Sequence, residues 1–212
     1  MSILNSTKTG KKGVYTKYPN SRDELMYMIK NDINENGYEC SLNHIDVSKI
    51  TDMSYLFSGS QFNGDISKWN VSNVKDMSSM FAYSKFNGDI SNWNVRKVEN
   101  MSSMFLNSKF NGNISKWNVS NVGNMWGMFL NSKFNGDISK WNVSNVKDMS
   151  SMFAHSRFNG DISNWKIKPD CSISNVFYNC PIKDEYKPSI LLKQEKVRRN
   201  FAHCIISCIS RI

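Results

Sequence analysis

No stretch of the sequence is apolar for long enough to cross a bilayer, which argues against a helical membrane protein. The first twenty residues, MSILNSTKTGKKGVYTKYPN, have no apolar centre of the kind a secretory signal carries. Unless a signal has been trimmed, the chain as written is therefore expected in the cytosol or on a particle. Cysteine is scarce as well. Cys40, Cys171, Cys180, Cys204 and Cys208 are too few and too irregularly spaced for a disulfide framework, so free thiols are expected. Cys171 and Cys180 are placed to pair only in an oxidising compartment. Cys204 and Cys208, one helical turn apart, read as buried thiols in preference to a zinc site. The three histidines, His44, His155 and His203, occupy unrelated positions, and no Ser-His-Asp or Cys-His pattern recurs. No catalytic residue, metal or cofactor is expected.

Acidic residues are in deficit too, with 27 Lys and Arg against 18 Asp and Glu. A surplus of this size raises the question of a phosphate polymer as partner. Much of it lies near the ends, in Lys8, Lys11, Lys12 and Lys17 and in Lys193, Lys196, Arg198 and Arg199, which argues against a basic binding groove.

What the sequence does have is a period. Trp69, Trp93, Trp117, Trp141 and Trp165 are each 24 residues from the next. Phe62, Phe86, Phe110, Phe134 and Phe158 keep the same step, as do Met53, Met77, Met101, Met125 and Met149 and a second series from Phe57 to Phe177. Each unit reads FNGDISKWNVSNVKDMSSMFAYSK with small changes. A period in the twenties implies coils that each make one turn and stack equivalent residues on their neighbours. The expected fold is an α/β repeat, a leucine-rich-repeat-like solenoid with helical caps. A basic N-terminal segment and capping helix would occupy 1–41, the array 42–177, and a C-terminal helical cap 178–212.

Within a coil three pieces are expected. The pair Asn63-Gly64 and its copies suggest a corner at positive φ. The segment ISKWNV, with alternate apolar positions, suggests a short parallel strand. Asp76, Asn100, Asn124 and Asp148, standing before MSSMF or MWGMF, suggest an N-cap and a short helix or 3₁₀ turn. Burial of one stacked Trp at ~25 cal/mol per Å² contributes ~4–6 kcal/mol, so Trp69, Trp93, Trp117, Trp141 and Trp165 are explained as a structural ladder. At the ends, Ser21 to Glu24 reads as a capping box, with Leu25, Met28, Ile29 and Ile33 on one helical face ending near Gly37. A second helix is expected from Pro188, offering Ile190, Leu191, Val197, Phe201, Ile205 and Ile209 to the last coil.

The run FNGDISKWNVSNVKDMSSMF, with its near-identical copies, resembles the BspA-like bacterial surface-protein type of leucine-rich repeat, which also occurs as a mycoplasma lipoprotein-type domain of unknown function. The resemblance spans residues 42 to about 177. It implies a right-handed solenoid used for adhesion or protein binding, on bacterial or protist surfaces or in some large DNA viruses, and it implies no catalytic residues.

Specificity is then expected at positions that packing does not need. Lys85, Lys109, Lys133 and Arg157 form a basic ladder. Four residues later Asp65, Asp89, Asp137 and Asp161 form an acidic one, interrupted by Asn113. These ladders either compensate each other or make an electrostatic strip that steers a protein partner. Both signs together suit a protein better than nucleic acid. Trp126 replaces a repeat serine beside Gly127 and reads either as a contact residue or as simple local packing. The alternatives are a structural component of a cell envelope or virus particle, through self-association or assembly, and nucleic-acid or polysaccharide binding through the tails or aromatic columns.

Overall fold

The computed structural model describes residues 15–193. Successive 24-residue segments lie one on the next, joined by parallel bridges at Asp52–Asp76, Asp76–Asn100, Asn100–Asn124, Asn124–Asp148 and Asp148–Ser172. The repeated apolar residues close into one core: every Trp, Phe, Met, Ile and Val column of the array is buried.

The local structure of the coil differs from the reading of its sequence. ISKWNV forms no strand; Trp69 N–H donates to Ile66 O at 3.2 Å and Val74 N–H to Val71 O at 2.9 Å, so two tight turns follow one another. The alternation of apolar positions there reports inward-facing turns, not a pleat.

The segment after Asp76 is not helical either. It is a ribbon of consecutive turns, with Met80 N–H donating to Met77 O, Ala82 to Ser79 and Ser84 to Phe81. The intervening residues reach the next coil instead: Met77 N–H donates to Asn100 O, Ser79 to Ser102, Phe81 to Met104 and Tyr83 to Leu106, at 2.7–3.0 Å. Local and inter-coil bonds thus alternate along the chain. This needs a backbone reversal every four residues, seen as positive φ at Ser79 and Tyr83, Ser103 and Asn107, Gly127 and Asn131, and Ser151 and His155. Asp76, expected as an N-cap, makes an Asx turn by accepting from Ser78 N–H at 2.7 Å.

The Asn-Gly corners are also different. None of Gly64, Gly88, Gly112, Gly136 and Gly160 has positive φ. Glycine is required there by close approach: a Cβ on Gly88 would stand 2.9 Å from the Phe86 ring. The adjoining asparagines bridge the coils, Asn63 Oδ1 accepting from Asn87 N–H and the pattern repeating through Asn159 at 2.7–2.8 Å.

Rings stack in near-parallel columns. Centroid spacing is 5.6–5.8 Å in the Phe57 to Phe177 column beside the ribbon, and 6.4–6.5 Å between the Trp69–Trp93 and Trp141–Trp165 pairs. Each indole N–H is satisfied in the core by a carbonyl of the preceding coil, as from Trp93 to Ile66 at 3.2 Å and from Trp117 to Ile90 at 3.1 Å. The buried serines 84, 108, 132 and 156 accept from the Phe N–H two residues on.

Helix α1, Arg22–Asn36, closes the N-terminal end. Ser21 Oγ accepts from Glu24 N–H, and Gly37, at φ 82, ends the helix by donating to Ile33 O. Leu25 and Ile29 are buried, while Met28 and Ile33 pack at the margin. Arg22 Nε donates to Ser54 O at 2.6 Å, covering a carbonyl on the outer side of the first ribbon. Asp32 is the unexpected residue of this helix: it is buried, with Lys17 Nζ 2.6 Å from one carboxylate oxygen. His44 Nε2 lies 3.2 Å from the other, close enough for an ion pair but without hydrogen-bond alignment.

At the other end a 3₁₀ turn, Asp184–Tyr186, lies against the last coil, with Ile162 N–H donating to Tyr186 O at 3.0 Å. Residues 189–193 are helical and Leu191 is buried. Val197, Phe201, Ile205, Ile209, Cys204, Cys208 and His203 lie outside the described residues, as do Lys8, Lys11 and Lys12. Cys40, Cys171 and Cys180 are free thiols, so the pairing considered for the last two is not made here.

Candidate functional site: the exposed columns

With the apolar columns enclosed, what solvent meets is set by the remaining positions of each coil. Lys85, Lys109, Lys133 and Arg157 are all exposed, and none forms an ion pair among the described residues. Their backbone N–H groups donate to Ser60, Ser84, Ser108 and Ser132 carbonyls of the preceding coil at 3.1–3.3 Å. One cation per coil is therefore held in register by main-chain bonds, while its side chain stays free.

The acidic column is built differently. Asp65, Asp89, Asp137 and Asp161 each accept from the N–H of the serine two residues on at 2.9 Å. At Asp89 and Asp137 that serine bond holds the carboxyl below its ordinary range. At Asp65 burial pushes upward, but bonds from Ser67 and Asn43 outweigh it. Asn113 makes the same turn with Ser115 at 3.0 Å, which shows why the break in the ladder is tolerated. These carboxylates shape turns first, and the two ladders do not neutralise each other by contact.

Trp126 is 42% exposed, unlike the five repeat tryptophans, which are at most 6% exposed. Its N–H donates to Asn124 Oδ1 at 2.9 Å and its carbonyl accepts from Ser103 N–H at 2.8 Å, so the backbone keeps the ribbon's register while the indole projects. Trp69, Trp93, Trp117, Trp141 and Trp165 are closed off as stacking platforms for bases or sugars.

One feature escaped the sequence reading. Leu106 and Leu130 are half-exposed in a column where Ala82 and Ala154 are buried. Comparison of columns, in place of the search for their constants, would have found them. An open depression of about 690 Å³, lined by Glu99, Asn121, Gly123, Asn145, Lys147 and Asp170 among others, lies where Gly123 removes a side chain from the column of Lys75 and Lys147. Its mixed charges hold no cluster of three metal-ligating His, Cys, Asp or Glu side chains among the described residues. No helix among those residues is long and apolar enough to cross a membrane.

Comparison with curated proteins and with solved structures finds no match. One family model, described as Mycoplasma protein of unknown function, DUF285, matches over residues 24–129 and again over 86–187. The two overlapping matches take in most of α1 and the whole run of stacked coils, and the chain belongs to the DUF285 family.

Proposed function

We propose that the chain is a non-enzymatic recognition or adhesion module, built as a leucine-rich-repeat-like solenoid of the BspA-like type, that docks a protein partner through its cation row. The observation that carries this reading is the row itself. Lys85, Lys109, Lys133 and Arg157 are exposed, evenly placed and free of ion pairs among the described residues, on a scaffold whose repeated Trp and Phe columns are consumed by packing. Charges so arranged steer encounter and select a partner with the opposite pattern, with an effect that weakens as salt rises.

The test is a crosslinking pull-down from the native source with the wild type and with Lys85→Glu/Lys109→Glu/Lys133→Glu/Arg157→Glu. The substitutions touch exposed side chains only, so an unchanged circular dichroism spectrum is expected. Retention of a protein by the wild type alone supports the reading. The same proteins on both would remove the row from recognition.

A further inference from the structure

Three departures from the repeat put a larger apolar side chain where other coils carry a small residue, apart from the exposed Tyr55, Tyr83 and Tyr178. In the first ribbon column, Ser54, Ser78, Ser102, Ser150 and Ser174 are interrupted by Trp126 alone; in another, Ala82 and Ala154 flank Leu106 and Leu130. The alanines are 2% and 3% exposed, so a methyl group completes the packing of that column. The leucines and Trp126 thus present apolar surface that stacking does not require.

All three lie on two neighbouring coils. Ser103 N–H donates to Trp126 O and Asn107 N–H to Leu130 O, both at 2.8 Å, which sets Leu106 beside Leu130 across the coil junction. A Cβ on Gly127 would lie 3.7 Å from Leu130 Cβ and Cδ2, so the Leu130 side chain rests against the residue next to Trp126. Three residues beyond each leucine stands a member of the cation row, Lys109 and Lys133.

We infer that Leu106, Trp126 and Leu130 form an apolar docking patch for an extended acidic peptide segment, whose hydrophobic anchor seats on the patch and whose carboxylates follow the cation row. The inference rests on the recognition reading above and names the chemistry of its partner. Charge complementarity fixes the sign: the row carries four cations without an ion pair among the described residues, and no acid. Geometry fixes the spacing. Side chains on one face of an extended peptide recur every ~6.6–6.8 Å, and equivalent atoms of bridged coils every ~5 Å, a mismatch that long flexible lysine stems take up. Acidic residues at alternate positions therefore meet successive coils. Addition of the peptide as a further strand is ruled out on the interior coils, because the ribbon N–H groups that point between coils are already bonded there.

The experiment is selection of a displayed random-peptide library on the folded wild-type chain, with affinities of the enriched peptides measured by fluorescence anisotropy. The expected peptides have an aromatic or aliphatic anchor followed by Asp or Glu at alternate positions. Their affinity should fall at least tenfold on Leu106→Ala/Trp126→Ser/Leu130→Ala. Those substitutions restore the array's own residues at each column, so the variant is expected to fold. Affinity unchanged in that variant overturns the patch. If the variant with four glutamates in the cation row loses the same peptides at the same time, the recognition reading survives without it. Enriched peptides without acidic residues overturn the assignment of partner. Concentration-dependent dimerisation abolished by Trp126→Ser would give the patch to a second copy of the chain and overturn it equally.

Discussion

At the scale of single residues, the buried ion pair of α1 is the clearest case of a role that a neighbour confers. Asp32 gains Lys17 because the segment before the helix bridges to the first coil at Ile45, and it meets His44 of that same coil. Removal of one partner of a buried pair leaves an uncompensated charge, and costs roughly 3–5 kcal/mol when burial is complete. Lys17 is partly exposed, so Lys17→Met should cost about 2–3 kcal/mol in urea unfolding. Cys171 offers a second residue-level test. Burial is the main cause that pushes its thiol up to about 11 from 9.0. The folded state favours the neutral thiol. Its contribution is therefore complete below pH 9 and is lost as pH rises toward 11. Urea midpoints at pH 8 and 10.5 should fall further for the wild type than for Cys171→Val.

At the scale of elements, the coil shows what its sequence could and could not reveal. The columns were legible because stacking demands the same side chain every 24 residues, and each of them is buried. The ribbon was not, because its bonds alternate between a residue three positions back and one 23 positions ahead. MSSMF spaced apolar residues as a helix would, and no glycine marked the reversals at Ser79, Ser103 and Ser151. Gly127 is the exception, and shows what that column prefers. Of the candidate site, the cation row and Trp126 were readable as exceptions to packing, whereas Leu106 and Leu130 lie in a column that varies between coils and so carried no periodic signal. The positive φ yields a sharp contrast. Ser103→Val places a branched side chain in the left-handed region and should lower stability by about 1–3 kcal/mol, whereas Ser103→Gly should be tolerated; thermal melts of both would check this. Gly88→Ala tests the other backbone correction. Its Cβ would press on the Phe86 ring, and overpacking of this kind costs roughly 1–3 kcal/mol.

At the scale of the whole molecule, the joints between coils are chemically the same. Met77 to Asn100, Met101 to Asn124 and Met125 to Asp148 are one bond repeated, at 2.8–3.0 Å. Stability in such an array is close to a sum of coil and junction contributions. Deletion of residues 87–110, one full period, should leave a cooperative but less stable protein by circular dichroism melting. Deletion of half a period should abolish the transition, because it sets Trp against turn positions.

Interchangeable joints also separate inheritance of the fold from inheritance of the surface. Unequal genetic exchange between coils would splice any one onto any other without disturbing the bonds of either, while carrying its exposed letters along. A serine or a tryptophan, an alanine or a leucine, a lysine or a glycine could then be reshuffled along a constant core. The repeat is in that sense a means of diversifying a surface while holding its architecture fixed.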